Sequence, residues 1–179
     1  MNKIAHTYLP VLQCGNCVLV PMTVDLVNSD YVGWLNDPRI NSFLETRFNN
    51  NTLESVKSFV EHQISTESVL FYAIFSNTHN HIGNIKLGPI NFAHLHADIG
   101  FLIGDEAYWG QGIATSAISA LVKYGFSIGL KKITAGAYET NIGSIKALEK
   151  SGFRKEGLME KQVLHDNLRV GAYIFGLTN

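Results

Sequence analysis

The sequence predicts a mixed α/β (α+β) fold, a mostly antiparallel sheet of six to seven strands flanked by helices. Three observations predict it. First, "SVLFYAIFS" (68–76), "HIGNIKLGPI" (81–90) and "HLHADIGFLIGD" (94–105) are apolar or alternating runs separated by short polar turns, the pattern of a meander. Second, "YWGQGIATSAI" (108–118) sets two glycines between a strand-like and a helix-like run, so hairpins give way to a strand–helix–strand–helix passage. Third, "FRKEGLMEKQVL" and "RVGAYIFGLTN" close the chain as an antiparallel pair.

The remaining elements follow in order. "CVLVPMT" (17–23) reads as the first strand and "TVDLVNSDYVGWLND" (23–37) as a helix, stopped before Pro38 because a residue preceding proline avoids the helical region. "PRINSFLE" supplies a second, short helical piece. In "NTLESVKSFVEHQIS", Asn51 is placed to cap and Glu54 to reach back from three residues on. Leu53, Val56, Phe59, Val60 and Ile64 then form a helical stripe. The helix after the glycine corner runs to about Phe126, with Gly129 set for a left-handed cap. "KKITAGAYET" is a strand, and "NIGSIKALEKSG" a helix capped by Asn141 and closed by Gly152.

Size and composition narrow the function classes. The 179 residues correspond to one domain, 1–179, with no repeat, linker or low-complexity tract. With 46% hydrophobic and 16% charged residues the chain can bury a core. A formal charge of −1 without a basic run argues against nucleic acid as partner. "MNKIAHTYLPVLQCG" lacks a signal-peptide apolar core, and no window reaches the roughly 20 apolar residues of a membrane span. The expected location is the cytoplasm, without membrane attachment.

Cys14 and Cys17, in "CGNC", are read as a tight turn ahead of a strand. A structural zinc site needs four ligands, and a thioredoxin-like pair should sit between strand and helix. His79/His81 and His94/His96 have i, i+2 spacing but flank turns, with no nearby acid or cysteine to complete a site. No metal is expected.

The corner at 108–118 is the distinctive feature. Gly110 and Gly112 allow close backbone approach and positive φ, and the unpaired N–H groups of a helix start bind an anion without a cationic side chain. A nucleotide-hydrolysing P-loop is excluded, because it needs a lysine and a Ser/Thr at fixed spacing. A dinucleotide site remains a rival. "GQGIAT" begins as G-x-G, but Thr115 replaces the third small residue. Glu139 lies beyond the ~20 residues expected of a ribose-binding acid. A corner that merely packs helix on strand is the third reading.

"IGFLIGDEAYWGQGIATSAISALVKYGF" followed by "AYETNIGSIKALEKSGFRKEG" resembles the GNAT (GCN5-related N-acetyltransferase) superfamily, nearest its ribosomal-protein N-acetyltransferase branch. The superfamily pattern Gln/Arg-x-x-Gly-x-Gly/Ala falls on Trp109, Gly112 and Ala114, with Trp109 departing at the first position. The resemblance implies the GNAT fold, its sheet splayed between strands 99–103 and 132–139 with acetyl-CoA in the gap. It implies that amides spanning Gly110, Gln111, Gly112, Ile113, Ala114 and Thr115 hold the diphosphate. Phe101, Leu102 and Ile103 would pair with the pantetheine arm like an added strand.

The implied chemistry is acetyl transfer to a primary amine by direct attack within a ternary complex. The leaving thiolate titrates near a free cysteine, roughly 8.5, so a modest donor at a helix start helps it leave. Ser144 occupies the Asn-x-x-Ser position to which the similar enzymes assign that role, and Asn141 is expected as a helix cap, a cofactor contact or both. Asp98 precedes "IGF" where relatives often carry an acid, and strand alternation puts Asp98, Gly100 and Leu102 on one face. Glu139 is a second candidate base, acting through water. A further acid of the ribosomal-protein enzymes falls here on Val163, a departure. Trp34, Arg39, Phe43, Arg47 and Tyr138 are the candidate residues of the acceptor side. The acceptor is a protein or peptide N-terminus or a small-molecule amine, with an amino-sugar nucleotide as alternative. A CoA-binding module without catalysis is the alternative of another class. Edge-strand pairing would give a homodimer.

Overall fold

The computed structural model describes residues 9–179. Its strands are β1 (Leu12–Gln13), β2 (Cys17–Pro21), β3 (Leu70–Ser76), β4 (His81–Leu87), β5 (His96–Ile103), β6 (Lys132–Tyr138), β7 (Arg154–His165) and β8 (Leu168–Thr178). Its α-helices are α1 (Ser29–Asn36), α2 (Pro38–Asn41), α3 (Leu53–Ser65), α4 (Ile113–Ser127) and α5 (Ile142–Lys150). The strands form one sheet of eight in the order β1-β2-β3-β4-β5-β6-β8-β7. The extra strand relative to expectation is β1, two residues long and too short to leave a periodic signal.

Every neighbouring pair is antiparallel except β5 and β6, which α4 joins by a crossover. That parallel pair is partial. His96, Ala97 and Asp98 face Lys132, Ile133 and Thr134, and the pairing ends there. Beyond it β5 stays bonded to β4 through Ile103, while β6 stays bonded to β8 through Tyr138. The sheet therefore opens as a V between 99–103 and 135–138, as expected.

Two cores explain why the V keeps its shape. Ala97, Ile99, Ile133, Ala135 and Ala137 point to one face and pack with Ile113, Ala117, Ile118 and Leu121 of α4 and Ile145 and Leu148 of α5. Gly125 lets α4 lie close to the sheet, since a Cβ there would stand 2.9 Å from a Leu87 methyl. On the opposite face Tyr31, Trp34 and Leu35 of α1 and Val56 and Val60 of α3 cover Phe71 and Ala73. β3 is covered on both faces, which is why Leu70 to Ile74 are all buried. Asp98, Gly100 and Gly136 alternate away from the first core and are exposed.

Two local expectations are corrected. The segment 23–37 is not one helix: a 3₁₀ turn at Val24–Leu26 ends before Asn28, whose side chain accepts from the Tyr31 amide and starts α1 afresh. The capping box of α3 is built from Thr52 and Ser55, not Asn51 and Glu54. Asn51 is instead spent on tertiary contacts, its Nδ2 reaching the Leu35 carbonyl at 3.1 Å and its carbonyl accepting from Asn36 at 2.7 Å. "PRINSFLE" forms α2 only to Asn41, followed by a turn and a 3₁₀ segment at Glu45–Phe48. No helix is long and apolar enough to cross a membrane among the described residues.

Candidate functional site

The glycine corner starts where β5 ends. Asp105 accepts from the Ala107 amide, and Trp109 donates its indole N–H to the Ile103 carbonyl at 2.8 Å, folding the exposed ring back along the strand it follows. Gly110 (φ 74°) and Gly112 (φ 79°) both lie in the left-handed region, where a side chain is strained. Gly112 is also the residue before α4. Amides 110 to 115 donate to no protein acceptor among the described residues, whereas Ser116 already bonds to Gly112. The corner is thus a row of unused donors at the positive end of a 15-residue helix, the arrangement that binds a diphosphate.

Braces that sequence reasoning missed hold this row. Asn16, in the turn between β1 and β2, donates Nδ2 to the Gln111 carbonyl at 3.0 Å. Gln111 donates its side chain to Ala107 at 2.6 Å. The "CGNC" turn is the expected tight turn, with Gly15 at φ 81° and the Cys14 amide bonded to the Cys17 carbonyl. Both cysteines are free, and the buried Cys17 lies under Ile113. A hydrogen bond from Cys17 holds the Cys14 thiol below its ordinary range, and the same bond, with burial, pushes Cys17 up.

Inside the V, Phe101 and Ile103 lean on the α4-side core and Leu102 on the other, so β5 is fixed from both faces. Added Cβ atoms at Gly100 or Gly136 would meet nothing within 4 Å. The gap therefore has room along its backbone, and the β5 edge toward β6 is unpaired past Asp98. At the top of β6 the chain turns into α5. Asn141 caps it, accepting from the Ser144 amide at 3.1 Å, and half-buried Ser144 sits in the first turn with its hydroxyl unbonded among the described residues. Ala114 and Thr115 are half-buried, and Ser151 of the α5 end donates to the Thr115 carbonyl at 3.3 Å, which ties the two helices.

The two candidate bases are both engaged. Asp98 sits at the closed end of the V and accepts from the Thr134 hydroxyl. The Glu139 carboxylate accepts from the Gly171 amide at 2.7 Å, beside the backbone bond from the Glu139 amide to the Gly171 carbonyl at 2.9 Å.

The candidate acceptor residues separate into three places. Phe43 and Tyr138 meet edge to face at 6.0 Å, and His165 from the end of β7 stacks on Phe43 at 4.7 Å. Trp34 is buried among Tyr31, His81 and Gly104. Arg39 is exposed on the surface and pairs with Asp37 and Glu106. Arg47, expected on the acceptor side, joins Phe43 and Tyr138, as do Glu45 and His165, which sequence reasoning missed. The Tyr138 hydroxyl donates to Glu45 and accepts from Arg47 at 3.0 Å. Burial first, then the Glu45 carboxylate, holds the Tyr138 phenol above its ordinary range. Among the described residues no three or more His, Cys, Asp and Glu side chains cluster as a metal site would require.

A V-shaped parting of two parallel strands, closed at the end of one by a glycine corner and at the end of the other by a capped helix, is matched by sequence as well. The model of the acetyltransferase (GNAT) domain matches residues 17–154. The chain belongs to the GNAT acetyltransferase family. Among GNAT relatives, the probable N-acetyltransferase YjcK of Bacillus subtilis is 42% identical over 84 residues, 46% of either chain. The chain spans about half the length of the curated relatives it matches. A GNAT-family acetyltransferase from Bacillus anthracis superposes with a TM-score of 0.80 at 20% identity, covering 94% of this chain and 98% of the other. RimL, the ribosomal L7/L12 α-N-protein acetyltransferase in complex with coenzyme A, gives 0.82 at 16%, again 94% and 98%. At those identities the likeness is one of fold.

Proposed function

We propose that the protein is an acetyl-CoA-dependent N-acetyltransferase acting on a primary amine, a peptide N-terminus or a small molecule, by direct attack in a ternary complex. The single observation that supports this best is the conjunction of the unpaired amides 110–115 with the parting of β5 from β6 after Asp98. The co-substrate supplies the acetyl group as an activated thioester.

In this reading the residues divide the work. Amides 110–115 hold the diphosphate by hydrogen bonds and helix-end charge, which no lysine is needed to supplement. The unpaired β5 edge at Phe101, Leu102 and Ile103 takes the pantetheine arm as an added strand takes a partner. Gly100 and Gly136 leave the gap open to the face away from α4 and α5, so an amine enters opposite the co-substrate. Ser144 offers its hydroxyl at a helix start, where a developing thiolate is also stabilised by the dipole. Asp98 and Glu139 each give one oxygen to a hydrogen bond and keep the other without a partner among the described residues, so both stand as the proposed bases for the attacking amine.

The test is incubation of the purified protein with acetyl-CoA and a panel of peptide N-termini, polyamines, aminoglycosides and amino-sugar nucleotides, read by mass spectrometry. Acetylated amine with stoichiometric free thiol is expected. Tight acetyl-CoA binding with no acetylated product would replace the enzyme by a CoA-binding module.

A further inference from the structure

The mouth of the V on the face away from α4 and α5 is framed by a collar of side chains drawn from three parts of the chain. Phe43, Glu45 and Arg47 come from the segment between α2 and α3, Tyr138 from the end of β6, and His165 from the end of β7. Phe43, Tyr138 and His165 pack mutually, at 6.0, 4.7 and 6.0 Å between ring centres.

Arg47 and Glu45 have opposite roles in it. The Arg47 side chain is only 14% exposed. Its guanidinium spends its N–H groups on the Leu44 carbonyl at 2.8 Å, the Tyr138 hydroxyl at 3.0 Å and the Leu164 carbonyl at 3.1 Å. It stitches the α2–α3 segment to β6 and to the β7–β8 ribbon, and its closest approach to the Glu45 carboxylate is a loose 3.7 Å. The Glu45 side chain is 75% exposed. One of its oxygens accepts from Tyr138 and the other has no partner among the described residues. Of the acids near the V, Asp98 is held by Thr134 at the closed end and Glu139 by the Gly171 backbone. All three keep one oxygen without a partner among the described residues; Glu45 differs in resting its exposed side chain on Tyr138, one of the three packed rings.

We infer that Glu45 is the residue that recognises the acceptor, binding the ammonium group of a cationic primary amine against the aromatic wall of Phe43, Tyr138 and His165, with Arg47 as the positioning residue. This rests on the acetyl-transfer reading above. The chemistry is suited to it. A carboxylate with one oxygen fixed by a phenol presents the other in a set direction, and aromatic faces favour a cation beside them. A neutral or anionic acceptor would gain nothing from this corner of the mouth.

The experiment is steady-state kinetics at saturating acetyl-CoA with the best amine found in the panel, on wild type and Glu45→Gln, with acetyl-CoA affinity measured separately by calorimetry. The acceptor KM is expected to rise about tenfold or more, as for a lost charge-assisted bond, with acetyl-CoA affinity unchanged and Glu45→Asp partly restoring KM. A wild type that acetylates amines and a Glu45→Gln variant with unaltered KM would overturn the assignment of Glu45 and leave the acetyl-transfer reading standing. A wild type that binds acetyl-CoA but acetylates no amine would overturn both. Loss of acetyl-CoA affinity in Glu45→Gln would place the residue in the fold and not at the acceptor, and would also overturn the inference.

Discussion

Asn16 donates its side-chain amide to the carbonyl of Gln111 across 95 residues of sequence, at 3.0 Å, so a turn at one sheet edge holds the glycine corner. The contact fixes the peptide plane between Gln111 and Gly112, whose N–H is one of the unpaired donors. Asn16→Ala is expected to weaken acetyl-CoA binding by about three- to tenfold, the effect of one net hydrogen bond, with the acceptor KM unmoved. Isothermal titration with acetyl-CoA checks it; an unaltered dissociation constant would show that the corner holds its shape without the brace.

Gly112 tests the corner's conformation apart from its space. A Cβ there would have Asn16 Nδ2 as its nearest neighbour, at 3.9 Å, so nothing blocks it sterically. The left-handed φ of 79° does, at about 1–2 kcal/mol for a non-glycine residue. Gly112→Ala should lower the thermal midpoint and reduce acetyl-CoA affinity together. A variant that keeps wild-type affinity would show that the diphosphate does not use this turn.

Ser144 separates chemistry from binding. Its hydroxyl is unbonded among the described residues while its amide is capped by Asn141, so Ser144→Ala removes a donor and leaves the helix start intact. Turnover is expected to fall about a hundredfold, the low end for a positioned acid, with acetyl-CoA affinity unchanged. An unaltered kcat would remove Ser144 from the mechanism.

His81 makes stability depend on pH. Burial holds its imidazole below the ordinary histidine range, although Asn84 and the Gly83 carbonyl both accept from Nε2 at 3.0 Å. A folded-state value depressed below the unfolded one, about 6.5, means that the unfolded chain binds more protons as pH falls. Stability from this group is present above about pH 6.5 and is lost as pH drops through the lower folded value. The urea midpoint should therefore decline from about pH 7.5 to about pH 5.5, and His81→Gln should flatten that decline. The same slope in both proteins would assign it to other groups.

The features legible in the sequence were those whose cause is local. Gly110 and Gly112 announce a positive-φ corner, Asn141 and Gly152 bracket α5, Gly129 ends α4, and alternation in "HADIGFLI" separates Ala97 and Ile99 from Asp98 and Gly100. Features set by distant partners were not legible. Asn51 is a good cap by type, yet its contacts with Leu35 and Asn36 leave the capping to Thr52. Trp34 and Phe43 are equal as aromatic residues in adjoining segments, and only packing sends one into a core and the other to the mouth of the V. Glu45 and Tyr138 are 93 residues apart, and no spacing rule connects them.

Acetyl transfer as proposed requires the corner after Tyr108 to hold a thioester carrier by main-chain amides. Following every backbone amide resonance during titration with acetyl-CoA tests that directly. Residues 110 to 115 should show the largest shifts, saturating with the calorimetric dissociation constant, with smaller shifts along 99–103 and at Asn141 and Ser144. Saturable binding that leaves 110–115 unshifted would contradict it.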